Sequence, residues 1–306
     1  MISYLRSTHY RPAIKQHDEL QPGSWVRSER PNDDEKQELV TLGVDADILA
    51  DALDPHEIPR VELEDGWTYF ITRLPDTDDE FNDYTTPILF ALSDKYVVTV
   101  SRDSLGRMWQ PFIDRTLAPT TQQTKLFMHM LDAIARQYQT RIATINRQMR
   151  ATTSSVHTLK ARDIATMTAY ERKLNDYLDA LQPTNTALEK IIGGKNLLQL
   201  HEDDRDQVED LSIDFEQLIA RCKSLLRTIT NLRDSYRAVM DTRLNETIRL
   251  LTVITLTFTI PTMFAGLYGM NVDLPGDENA PYMFWLILGF SLLIALSLGT
   301  YFLRKR

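Results

Sequence analysis

The sequence has a single cysteine, Cys222, so no disulfide can form within the chain. It falls in an apolar helical stripe and reads as a packing residue. The six histidines are scattered and form no ligand cluster. His201-Glu202-Asp203-Asp204-Arg205 lacks the second histidine of a zinc-binding helix, and Gly193-Gly194-Lys195-Asn196 lacks both the first glycine and the final Ser/Thr of a phosphate loop. No triad or paired-carboxylate pattern is present, and enzyme activity is not expected. There is no basic excess either. The net charge of −9 argues against a nucleic-acid partner, which needs a positive footprint. Residues Met1 to Tyr10 contain no apolar core of a signal peptide.

The acidity is concentrated early. Residues 1–118 carry 23 acidic and 12 basic side chains, a balance of −11, whereas the remainder carries 20 and 22. Such a surface can attract divalent cations or can simply be solvated. Nine of the thirteen prolines lie at or before Pro119. This part reads as an α/β domain. Short helices are expected near Glu35–Leu42 and Ala46–Ala52, and strands at Arg60–Leu63, Trp67–Leu74, Pro87–Leu92 and Tyr96–Ser101. Asp65-Gly66 is a hairpin signal between two of these, and Leu92 to Tyr96 reads as a second turn.

Glycine and proline then vanish for long stretches, between Pro119 and Pro183 and again from Lys195 to Ile260. Breaker-free spans of that length predict very long stalk helices over 119–247. The second span carries a heptad-like seam through Leu211, Phe215, Leu218, Cys222, Leu225, Ile229, Leu232, Tyr236 and Val239. A looser seam runs through Met130, Ile134, Tyr138, Ile145 and Met149. The segment Pro183–Gly194 is expected to fold the two long helices back on each other.

Charge is missing from two C-terminal runs. Residues 248–270 and 282–303 hold one charged side chain between them, Arg249 at the inner edge, and each reaches membrane length. They predict a transmembrane hairpin over 248–306 with an outer loop at 271–281. Arg243 and Arg249 precede the first span and Arg304-Lys305-Arg306 follows the second, while the loop has only Asp273, Asp277 and Glu278. Positive flanks stay inside, so both termini are expected in the cytoplasm of a cell-membrane protein.

On a wheel of about 100° per residue, Thr252, Thr255, Thr259, Thr262 and Gly266 share one sector of the first span, and Asn245 and Ile248 extend it inward. This stripe predicts either helix packing or a water-filled path. One hairpin cannot enclose a pore, so the second reading requires a homo-oligomer. Pro261 lies inside the same helix and frees one carbonyl.

The span ends in Ala265-Gly266-Leu267-Tyr268-Gly269-Met270-Asn271. With Asn245-Glu246 near its start, only two spans, a tiny tail and an acidic N-terminal half, the chain resembles the CorA family of divalent metal transporters. The resemblance implies an α+β fold with an N-terminal α/β cytoplasmic domain, long stalk helices and a two-helix membrane hairpin, assembled as a funnel-shaped homopentamer. It implies a selectivity filter at Gly269, Met270 and Asn271, and a pore lined by Asn245, Ile248, Leu251, Thr252, Thr255, Thr259, Thr262 and Gly266. Asp273, Asp277 and Glu278 would raise the cation concentration at the outer mouth. Mg2+ would be both cargo and regulator, with Asp210 and Asp234 as regulatory ligands and no other cofactor.

The chain departs from the family pattern in its loop, Val272-Asp273-Leu274-Pro275-Gly276-Asp277-Glu278-Asn279, where a Met-Pro-Glu-Leu sequence is frequent, and in threonines where apolar gate residues often stand. Ile248 and Leu251 remain as gate positions. Transport of Zn2+, Co2+ or Ni2+ by the same architecture, or a membrane-anchored coiled-coil sensor or scaffold, are therefore the alternatives to Mg2+ influx.

Overall fold

The computed structural model describes residues 2–8, 11–77, 83–115, 118–152, 161–194, 197–198, 202–270 and 281–304. Its compact units are Met1–Leu232 and Arg233–Arg306.

The first unit is built on a seven-stranded sheet in the order β2-β1-β3-β7-β6-β5-β4. The strands are β1 (Ile2–Thr8), β2 (Arg11–His17), β3 (Trp25–Glu29), β4 (Arg60–Glu64), β5 (Trp67–Thr77), β6 (Asp83–Leu92) and β7 (Val97–Ser101). All neighbours pair antiparallel except β3 and β7. Asp65 (φ 48) and Gly66 (φ 80) form the two-residue β4–β5 turn. Both central residues at positive φ match the twist of the strands they join.

One sheet face, with Val26, Tyr69, Ile71, Leu89, Ala91, Val98 and Val100, packs on α1 (Asp33–Leu42) and α2 (Ala46–Asp51) through Leu39, Ile48 and Leu49. Helix α1 starts in a capping box, Asn32 with Glu35, and stops at Gly43 in the left-handed region. The other face meets α3 (Gly106–Arg115), α4 (Gln123–Thr152) and α5 (Ala161–Gly193). There Phe127 of α4 sits edge-on to Phe70 and Phe90 at 5.2 and 5.3 Å, and Trp25 meets Trp109 at 5.6 Å. A buried hydroxyl pair, Thr72 and Thr184 at 2.7 Å, ties β5 to α5. Because both faces are covered, the central strands are buried at nearly every position rather than at alternate ones.

One expectation is corrected. Pro183 is not a corner but lies inside α5. It removes one helical donor, yet the flanking Leu181, Thr184 and Leu188 are buried, and that packing outweighs the lost bond. The span from Pro119 to Pro183 accordingly holds the whole of α4 and most of α5, with residues 153–160 outside the described set. Helices α4 and α5 belong to the same compact unit as the sheet.

Helix α6 runs unbroken from Glu202 to Tyr268, and α7 from Pro281 to Arg304. In the first unit α6 buries Leu211, Phe215, Leu218, Cys222, Leu225 and Ile229, the seam expected from spacing. Ser212 donates to the Asn185 side chain at 3.0 Å, joining α6 to α5.

Cys222 is fully buried, and burial pushes its thiol up to about 12. The thiolate, which is the reactive form, is therefore scarce near neutrality. A maleimide at about pH 7.5 is expected to leave the folded chain unlabelled and to label it after denaturation. Fast labelling of the folded chain would place the α6 seam outside the core.

Candidate ion-conduction site

The second unit consists of the end of α6 and of α7. Each helix contains an 18-residue stretch of high mean hydropathy, 1.8 and 1.9, of which only 6% and 11% is buried. An apolar surface left that open suits lipid and not water.

The two helices pack antiparallel. On α6, Val253 is buried and Thr257, Ile260, Pro261 and Phe264 are half-buried. On α7, Ser291 and Ala295 are buried. Phe264 meets Phe290 edge-on at 6.0 Å, and the Arg249 guanidinium donates to the Phe302 carbonyl at the far end of the hairpin. Gly299 faces Thr257 so closely that a Cβ added there would lie 3.2 Å from Thr257 Oγ1. Small residues of this kind let two helices approach where no hydrophobic effect drives them together.

The α7-facing positions centre about 160° around the helix from the threonine stripe. Thr252, Thr255, Thr259, Thr262 and Gly266 are all exposed, as are Asn245, Ile248 (52%) and Leu251 (63%). Packing within the hairpin therefore does not account for the stripe. The hydroxyls of Thr252, Thr255, Thr259 and Thr262 donate to the carbonyls of Ile248, Leu251, Thr255 and Phe258 at 2.8–2.9 Å. A carbonyl has no proton to give, so each hydroxyl spends its only one on the backbone. What faces outward is a line of oxygen acceptors without donors.

At the end of α6, the Gly269 N–H still bonds the Ala265 carbonyl at 3.0 Å, and a Cβ on Gly269 would lie 3.1 Å from that oxygen. Met270 is exposed. Asn271, Asp273, Asp277 and Glu278 lie outside the described residues. Asp210 and Asp234 are both exposed, more than six turns of α6 apart, and Asp234 has Arg237 at 3.8 Å. Among the described residues no group of three or more His, Cys, Asp or Glu could hold a metal within one chain. Sequence reasoning did not find the Arg249 cap or the Thr257–Gly299 contact. The signal for the second was a hydroxyl and a glycine placed symmetrically about the loop.

The family described as CorA-like Mg2+ transporter protein matches residues 21–306. The chain is 24% identical over 288 residues to the cobalt/magnesium transport protein CorA of Methanocaldococcus jannaschii, covering 88% of this chain and 86% of that one. It is 18% identical to the protein of the same description from Thermotoga maritima, covering 87% and 77%. The complete structure of the M. jannaschii magnesium transporter superposes with a TM-score of 0.87 at 20% identity, over 100% of this chain and 98% of that one. The full-length CmaX protein superposes with 0.77 at 17% identity, over 99% and 97%. These matches extend from the sheet through both apolar helices, and the chain belongs to the CorA-like Mg2+ transporter family, whose members are membrane transporters and not enzymes.

Proposed function

We propose that the chain assembles as a homopentamer whose α6 helices surround a path for divalent cations, with Mg2+ entering the cell down the membrane potential. The carrying observation is the line of threonine hydroxyl acceptors on the face of α6 that α7 leaves free. Water around a cation points its oxygens inward and its protons outward, so a hydrated cation matches a wall of acceptors. The four threonine hydroxyls would offer an anion no donor. The similar proteins named for cobalt and magnesium transport supply the cargo class.

In this reading Asn271 forms the outer filter, where amide oxygens hold Mg2+ through its water shell without stripping it. Asp273, Asp277 and Glu278 concentrate cations at the outer mouth. Ile248 and Leu251 are the large apolar side chains near the inner end and form the gate. Both termini are cytoplasmic, with residues 248–306 in the membrane, 119–247 as the stalk and 1–118 as the acidic domain. Cytosolic Mg2+ bound at Asp210 and Asp234 against neighbouring subunits closes the gate. A divalent ion gains about 4.6 kcal/mol per 100 mV on entering a negative interior, which drives influx without ATP.

Two measurements test this. In proteoliposomes under an inside-negative potential, Mg2+ and Co2+ are expected to enter, and Asn271→Ala to reduce entry to background. Zn2+ flux coupled to a proton gradient, with Mg2+ at background, would replace Mg2+ as the cargo; absence of any metal flux would remove the transport reading. Second, Thr259→Val keeps volume but deletes an acceptor worth about 1 kcal/mol in each subunit. It is expected to slow Mg2+ entry about tenfold, while Thr259→Ser retains it. Equal rates in Val and Ser variants would mean the stripe faces lipid.

A further inference from the structure

A cleft of about 740 Å3 lies within the first unit. It is bounded by the β4–β5 and β6–β7 turns and by the starts of α4 and α6. A volume of that size suits a small organic ligand.

One wall is Asp204, in the first turn of α6 and only 3% exposed. Its Oδ1 is sealed from solvent and has no hydrogen-bond partner. Among the described residues Asp204 makes no ion pair either. The helix dipole favours a negative charge at this position but supplies no bond to Oδ1. A buried carboxylate left unpaired is costly, and the fold itself gains nothing from it. What it lacks is a donor from outside the chain.

The same cleft also offers donors. The Gln122 carbonyl accepts from Leu126 at 2.9 Å, which makes Gln123, Thr124 and Lys125 the first turn of α4. Among the described residues no bond to their three N–H groups is present. These are orphan helix donors, and Lys125 brings an ammonium without an ion pair to the same wall. A helix start of this kind receives phosphate. Leu63, which is 48% exposed, and Leu92 add apolar surface for a flat ring.

A guanine nucleotide uses all three features. Guanine presents N1–H and the N2 amino group side by side, which matches the two oxygens of a carboxylate. Adenine has no such pair. We propose that this cleft binds a guanine nucleotide, with Asp204 accepting both N–H groups of the base and the α4 start with Lys125 holding phosphate. The site lies within the first unit and does not depend on the ion path.

The test titrates the purified full chain in detergent with GDP by calorimetry. The buffer is free of divalent metal, so that chelation cannot imitate binding. GDP is expected to bind at micromolar concentration, and ADP about a hundredfold more weakly. Asp204→Asn deletes a charge that has no partner to lose, so it is expected to fold like the wild type. Its amide should reject GDP and accept xanthosine diphosphate, whose base sets a carbonyl beside N1–H. Lys125→Gln is expected to weaken GDP about tenfold. Equal binding of GDP and ADP, unchanged GDP affinity in Asp204→Asn, or no GDP binding at millimolar concentration would overturn the proposal. None of these results bears on metal flux, so the transport reading stands or falls separately.

Discussion

The rest of the second unit depends on how one helix divides its two faces. In lipid, every polar group of α6 must find a partner within the protein or in water. The face carrying Val253, Thr257, Ile260 and Phe264 is used up by α7. Close approach is possible because Gly299 has no side chain to push against Thr257. Once α7 has taken that face, the threonines opposite are left exposed. Their donors turn back to the helix and their acceptors remain. The arrangement costs nothing while the oxygens face water and gains nothing while they face lipid, and so it favours assembly around a wet axis.

Charge is managed by the same division. The span holds no carboxylate, so in the proposed path an ion would not be bound strongly enough to be trapped. Carboxylates appear in sequence only beyond its two ends, at Glu246, Asp241 and Asp234 below and at Asp273, Asp277 and Glu278 beyond Asn271. In the proposed channel, concentrating cations at the mouths and leaving the passage neutral separates attraction from conduction, and the Asn271 amide would supply oxygen without net charge.

The C-terminal half was largely legible because its signals are long. Two apolar runs, the seam from Leu211 to Ile229 and the Gly269-Met270-Asn271 end each extend over several turns or match a specific pattern. The first unit was less so. Strand β1 turns Ser3, Leu5 and Ser7 inward, so its buried face is mostly hydroxyls and reads as polar. Edge strand β2, Arg11–His17, has no apolar alternation to find. Helix α5 continues through Pro183 because packing around Thr184 decides the matter, and propensity rules do not see packing. The site was legible as a stripe. Its polarity was not, since which atom receives each hydroxyl proton is a matter of backbone geometry.

Helix α6 therefore carries two registers of the same heptad kind. From Leu211 to Ile229 the register is apolar and is buried within the first unit. From Asp234 to Gly266 it is polar and exposed. The apolar register is satisfied as soon as a single chain folds, so its stability is a property of the monomer. The polar register is satisfied only by water or by other copies, and a bilayer removes the water from its outside. In the proposed assembly, folding of the sheet unit and formation of the path are thus separate events, the second waiting on concentration and membrane where the first does not. On that proposal the sheet unit can fold before assembly, and the path forms only when the copies meet.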